Sequence, residues 1–146
     1  MRKVLDEIRK IALGLKREDL LAAGLFGSLA RGDFDEKSDI DVFVITSREL
    51  SLEEQDRLYQ EFSRLMEIFG RDVTVLVYDM KSLKKVPSWQ TLNLIRDAIF
   101  AFDRGNVQEV FREILRKAEE KGIFYDERDR VFRLRKPGRV VLSLDS

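Results

Sequence analysis

Gly24–Asp41 reads GLFGSLARGDFDEKSDID: an apolar strand end, a Gly-Ser turn, an Arg-Gly turn and a paired Asp-x-Asp in one short span. Leu20–Phe26 is apolar and compact, a candidate buried strand that runs straight into Gly27-Ser28. Asp39–Thr46 (DIDVFVIT) is rich in β-branched residues and reads as a second strand. Residues two apart on a strand share a face, so Asp39 and Asp41 project side by side while Ile40 faces away. Two carboxylates held this close repel unless something compensates. A divalent cation compensates well, and Mg²⁺ takes hard oxygen ligands, commonly one or two carboxylates with phosphate oxygens and water. The plainer alternative is that Asp39 caps a loop and Asp41 sits on a wet strand face.

The turn before them suits an anion. A glycine at position 27 lets a phosphate approach the backbone, and the helix-compatible Leu29-Ala30-Arg31 behind it offers unpaired N–H groups. Ser28 can add its hydroxyl, or serve only as an N-cap; with no His in the chain it is a poor nucleophile. Arg31 can reach phosphate oxygens or simply be a solvated surface arginine. Asp33, Asp35, Glu36 and Lys37 read as a solvated loop with no role, and Ser38 as a cap or a hydrogen-bond partner of Asp41. A third carboxylate, sharing a metal and accepting the proton of an incoming hydroxyl, is expected at Asp72, where a later strand begins. Asp79, at the other end of that strand, is its rival, and a strand-edge acid is the plainer reading of Asp72.

Outward from this span, residues 2–16 place Val4, Leu5, Ile8, Ile11, Ala12 and Leu15 on one helical face. Ser51-Leu-Glu-Glu54 is a capping box opening one long helix, with Leu58, Phe62, Leu65 and Phe69 in period and Gly70 at its end. Asp72–Tyr78 is a third strand, Trp89–Ala98 a short helix and Ile99–Phe102 a fourth strand. Asn106 with Glu109 caps a further helix that runs to about Lys121 and stops at Gly122. The tail RVFRLRKPGRVVL reads as two short strands around the Lys136-Pro137-Gly138 turn. The order of elements predicts an α/β (α+β) domain with helices packed on one small mixed sheet. A single domain over 1–146 is expected, with a core at about 1–104 and a C-terminal extension of a helix and short hairpin at about 105–146.

Composition narrows the chemistry. The 146 residues are 44% hydrophobic, enough to bury a core. Lys+Arg and Asp+Glu are both 27, and this zero balance argues against a broad nucleic-acid-binding face. There is no Cys, hence no disulfide or zinc-thiolate, and no His, hence none of the usual triads. Charged residues reach 37% against a usual ~25%; with few Asn, this suggests a thermophile's protein. No apolar run is long enough to span a membrane and no signal-peptide pattern opens the chain, so the expected location is cytoplasmic.

Gly27-Ser28-Leu29-Ala30-Arg31-Gly32 followed by Ser38-Asp39-Ile40-Asp41 resembles the GSxARG…SDxD signature of the polymerase-β-like nucleotidyltransferases. The short length is similar to that of the minimal nucleotidyltransferases, the MNT or MntA-like antitoxin group. The likeness runs from Gly27 to Asp72, and Leu94–Asp103 (LIRDAIFAFD) is also similar. It implies the nucleotidyltransferase fold and transfer of a nucleoside monophosphate, AMP from ATP, to an acceptor hydroxyl with release of pyrophosphate. It implies Mg²⁺, two ions, on Asp39, Asp41 and Asp72, with Gly27 and Ser28 holding the β- and γ-phosphates and Arg31 assisting. It further implies a HEPN-type toxin partner, adenylylated on a tyrosine. Residues 107–121, through Val107, Val110, Phe111, Ile114, Leu115 and Ala118, could contact that partner or pack on the domain's own sheet. A homo-oligomer is also open. The other readings are a non-catalytic antitoxin acting by contact and a small-molecule nucleotidyltransferase; size and zero net charge disfavour a template-dependent polymerase.

Overall fold

The computed structural model describes residues 1–136, 138 and 140–144. Four strands form one sheet in the order β3-β2-β1-β4, from β1 (Leu20–Phe26), β2 (Ile40–Thr46), β3 (Val73–Asp79) and β4 (Ile99–Asp103). β1 runs antiparallel to β2 and β4, while β2 and β3 are parallel. A parallel pair needs a crossover, which α3 (Leu52–Phe62) and α4 (Arg64–Phe69) supply. The sheet is therefore mixed, as expected.

Helices cover both of its faces, so the central strands are apolar on both sides instead of alternating. One face packs Leu20, Ala23, Leu25, Ile40, Val42 and Val44 against Ile8 of α1 (Arg2–Leu15), Leu58, Phe62 and Leu65. The other packs Ala22, Phe43 and Ile45 against α6 (Trp89–Asp97) and α7 (Val107–Glu120). There Phe43 meets Phe100 at 5.0 Å and Phe111 at 5.8 Å between ring centroids. Gly24 makes that packing possible: a Cβ at this position would lie 2.2 Å from the Ile99 carbonyl and 2.8 Å from the Phe43 ring.

The long helix expected from Ser51 to Phe69 is broken. Its capping box is present, but Ser63 donates its hydroxyl to the Gln60 carbonyl at 2.8 Å, ending α3 and starting α4. Such back-bonding bends helices. Between β3 and α6 the chain forms an extra short helix, α5 (Met80–Lys84), capped by Asp79. Asn106 does not cap α7: it takes a left-handed conformation with φ 57° and makes no capping bond. Asp103, at the end of β4, accepts instead from the Val107 and Gln108 N–H groups, each at 2.9 Å. A carboxylate there both satisfies orphan donors and meets the positive end of the helix dipole.

The C-terminal hairpin lies one strand earlier than its sequence suggests. β5 (Ile123–Asp126) pairs antiparallel with β6 (Val131–Leu134), so the reversal falls at residues 127–130. No strand forms after Leu134 among the described residues, and Pro137 of the expected turn lies outside them. Val107, Phe111, Ile114 and Ala118 are buried on the molecule's own sheet, with Val110 and Leu115 packed beside them. That face is thus not open to a partner.

Candidate active site

The site forms where β1 ends and β2 and β3 begin. Antiparallel register sets Phe26 opposite Asp41, which brings the following Gly27 against the Asp41 side chain. Gly27 has φ +74°, and a Cβ on it would sit 2.2 Å from Asp41 Oδ2. Only glycine fits both the backbone and the approach. The chain then enters α2 (Gly27–Arg31), which starts at Phe26 with no side-chain cap. Ser28 is therefore inside the first turn and is not its N-cap. The first N–H groups of this turn are left without a side-chain acceptor.

Parallel register pairs Asp41 with Thr74 and Ile40 with Val73, and the Ile40 N–H donates to the Asp72 carbonyl at 2.8 Å. Asp39 and Asp72 thus lie side by side at the entries of adjacent strands. By alternation they share the face that carries Asp41 and Thr74. Asp79 is at the far end of β3, about 20 Å away along the strand. Its carboxylate accepts from the Ser82 N–H at 3.0 Å and hydroxyl at 2.7 Å, so it is spent on capping α5.

Asp41 is half-buried. Burial pushes its carboxyl above the ordinary value and the Asp39 charge adds to this, while Arg31 and a hydrogen bond from Thr74 pull the other way. Among the described residues, no three His, Cys, Asp or Glu side chains converge closely enough to hold a metal ion by themselves. The donor set nevertheless suits a hard divalent cation: it is all-oxygen, and the Asp39 carboxylate lies close enough to Asp41 to disfavour its charge.

Arg31 is more than a solvated arginine. Its Nη1 donates to Asp97 at 2.7 Å and its Nε to Asp33 at 3.2 Å. Asp33, read from sequence as a loop residue without a role, is also bonded by Arg130 of the C-terminal hairpin. Neither Asp33 nor Asp97 was foreseen at the site, although Asp97 carries one signal. It is the last residue of α6, where the helix dipole disfavours a carboxylate that has no cation beside it. Ser38 does not serve Asp41: its hydroxyl closes the loop on Asp35, accepting from the Asp35 N–H at 2.9 Å. Arg71 pins that loop by donating to the Asp35 and Ser38 carbonyls at 2.7 and 2.9 Å. Arg71 fixes the approach to Asp39 from the residue next to Asp72, a tie that sequence spacing does not reveal.

A family profile described as Polymerase beta, Nucleotidyltransferase matches residues 8–93, a span that takes in the whole of this site except Asp97 and the hairpin. Two proteins of Methanocaldococcus jannaschii, each named as a candidate protein adenylyltransferase, are similar. One is 29% identical over 52% of this chain and 77% of its own; the other is 39% identical over 49% and 73%. Among solved structures, a chain of a toxin–antitoxin crystal structure with AMP-PNP aligns with a TM-score of 0.55 at 20% identity, over 80% of this chain and 91% of that one. A chain from the tri-AMPylated HEPN toxin of Shewanella oneidensis in complex with its MNT antitoxin aligns with a TM-score of 0.50 at 18% identity, over 83% and 92%. At these identities the structural likeness speaks for the fold. Among the described residues no helix is long and apolar enough to cross a membrane. The profile match across the Gly27–Asp41 turn and both strand entries shows that the chain belongs to the polymerase beta nucleotidyltransferase family.

Proposed function

We propose that this nucleotidyltransferase moves AMP from ATP to a protein hydroxyl, a tyrosine of a HEPN-type partner, and so acts as an antitoxin. The observation that carries the reading is the seating of Gly27 against Asp41, with Asp39 and Asp72 at the same end of the sheet. The M. jannaschii relatives support protein adenylylation, and the toxin–antitoxin fold neighbours support the class of partner.

Asp39 and Asp41, joined by Asp72, would hold Mg²⁺, two ions in the arrangement the family resemblance implies. Bound there, the metal would neutralise charge developing on the transferring phosphoryl group. Gly27 gives the β- and γ-phosphates room to approach, Ser28 donates its hydroxyl to them, and the uncapped N–H groups of the turn face the same anion. Arg31 adds positive charge beside Asp41. Asp72 accepts the proton of the acceptor hydroxyl as its oxygen attacks the α-phosphorus. The bond from that phosphorus to the bridging oxygen breaks, and pyrophosphate leaves.

We also read the chain as a single-domain cytoplasmic protein of a thermophile. The web joining Arg17 to Asp19 and Glu54 at 2.9 Å each, with Arg48 on the same acids, supports the thermophile reading.

The test uses ATP labelled on the α- or the γ-phosphate, Mg²⁺ and the product of the adjacent gene. Label on the partner from the α-position alone supports nucleotidyl transfer. Label from the γ-position alone, or inhibition of the partner without any label, contradicts it.

A further inference from the structure

Asp97 occupies an unfavourable place. Its side chain is only 7% exposed, and it ends α6 at the negative pole of the helix dipole. Burying an ion pair brings little net stability, because desolvation offsets the attraction. A residue set against local preference is the kind found at functional sites. What Asp97 touches is Arg31, at 2.7 Å.

The geometry of Arg31 shows what the contact does. A guanidinium has five N–H donors in a rigid plane. Asp97 takes one at Nη1 and Asp33 takes the one at Nε, so two carboxylates fix the plane from two sides. Among the described residues, Nη2 has no such partner. The guanidinium lies within electrostatic reach of Asp41, lowering its carboxyl against the effect of burial. Asp33 is itself held by Arg130 of the hairpin, so the clamp ties the C-terminal extension to the turn at Gly27. Around it lies an open cavity of about 340 Å³, lined by Arg31, Asp33, Arg96, Asp97, Tyr125 and Arg130 among others.

We propose that Asp97 is a positioning residue: with Asp33 it aims Arg31 so that the free Nη2 donors meet the phosphates of the nucleotide bound at Gly27–Asp41. This rests on the nucleotidyltransferase reading given above. Asp97 itself does not touch the nucleotide; it acts through Arg31. Its negative charge alone would weaken nucleotide binding, so its value lies wholly in the orientation it imposes.

The test is the affinity of the full chain for MgATP, measured by calorimetry, which needs no acceptor. Asp97→Asn should weaken binding about tenfold or more, the usual effect of a misplaced charge-assisted hydrogen bond. Asp33→Asn, at a more exposed site, should weaken it less and guards against a folding defect in the first variant. In an Arg31→Lys background, where one ammonium cannot bridge both carboxylates, Asp97→Asn should change affinity little. A purely structural role would give the same loss in both backgrounds and would overturn the proposal. Unchanged or tighter binding by Asp97→Asn would overturn it too, the latter marking Asp97 as a mere competitor for Arg31. If the unmodified chain fails to bind MgATP, the nucleotidyltransferase reading falls first and takes this inference with it.

Discussion

Gly27 and Asp41 face each other across the β1–β2 junction with no room for another atom: a Cβ on Gly27 would lie 2.2 Å from Asp41 Oδ2. Strand register creates the approach, and the glycine's φ of +74° turns the chain away into α2.

Gly27→Ala should therefore damage the site as well as the fold. The left-handed backbone costs an L-residue about 1–2 kcal/mol, and the Asp41 carboxylate must also move. Thermal unfolding should show a lowered Tm, and nucleotide transfer should fall out of proportion to the stability lost. Gly32→Ala is the comparison. Gly32 is also at positive φ but has nothing within 4 Å of its Cβ position, so it should lose stability while keeping far more activity.

Asp41 is a destabilising charge at the proposed metal site. Burial, then Asp39, raises its carboxyl in the folded state. The folded state therefore holds this proton more tightly than the unfolded chain, and that contribution to stability is lost as pH rises through the carboxylate range. Asp41→Asn should raise Tm near neutral pH, with the gain shrinking toward acid, while transfer is abolished. Mg²⁺ should raise the Tm of the unaltered chain and leave the Asp39→Asn, Asp41→Asn double variant unmoved; at a hundredfold excess over Kd the stabilisation is about 2.7 kcal/mol.

Capping of α7 separates two neighbouring polar residues. Asp103→Ala removes both bonds to the helix N-terminus and should cost about 1 kcal/mol. Asn106→Ala removes no capping bond and should cost less, its left-handed φ of 57° being the main concern. Chemical denaturation of the two variants tells them apart.

Glu54 joins the start of α3 to the chain before β1. Hydrogen bonding from Arg48, then from the Ser51 N–H and Arg17, holds its carboxyl far below the ordinary range. Its contribution to stability is present above the ordinary glutamate pKa and is lost as pH falls through the depressed one. Glu54→Gln should lower Tm at neutral pH, and less so at high salt. For the unaltered chain, the thermophile reading expects a Tm above the mesophile range of about 45–65 °C.

Sequence pattern carried some of this further than the rest. β1 was legible end to end because Leu20–Phe26 is an unbroken apolar run closed by Gly27, and α1 because its apolar face keeps a helical period. The Asp39–Asp41 pair could be placed from alternation alone. Features fixed by individual side-chain bonds or by contacts between elements were not legible. Ser63 breaks a helix that has no break in its pattern, and Asp103 reaches past Asn106 to cap α7. Pro137-Gly138 is the turn signal in the sequence, yet the strands pair across residues 127–130, where Arg130 supplies the positive φ of 56°. The acids around Arg31 lie on a loop and at a helix end, and only the packing of α2 against α6 brings them together.

The most direct measurement of the central claim is the intact mass of the HEPN-type partner after incubation with ATP and Mg²⁺. The partner should gain AMP with the unaltered chain and with Asp79→Asn, whose carboxylate only caps α5. It should gain none with the Asp39→Asn, Asp41→Asn double variant, and Asp72→Asn should slow the gain about 10²–10⁴-fold. Transfer that survives the double variant, or a partner silenced with no change in mass, would contradict the account.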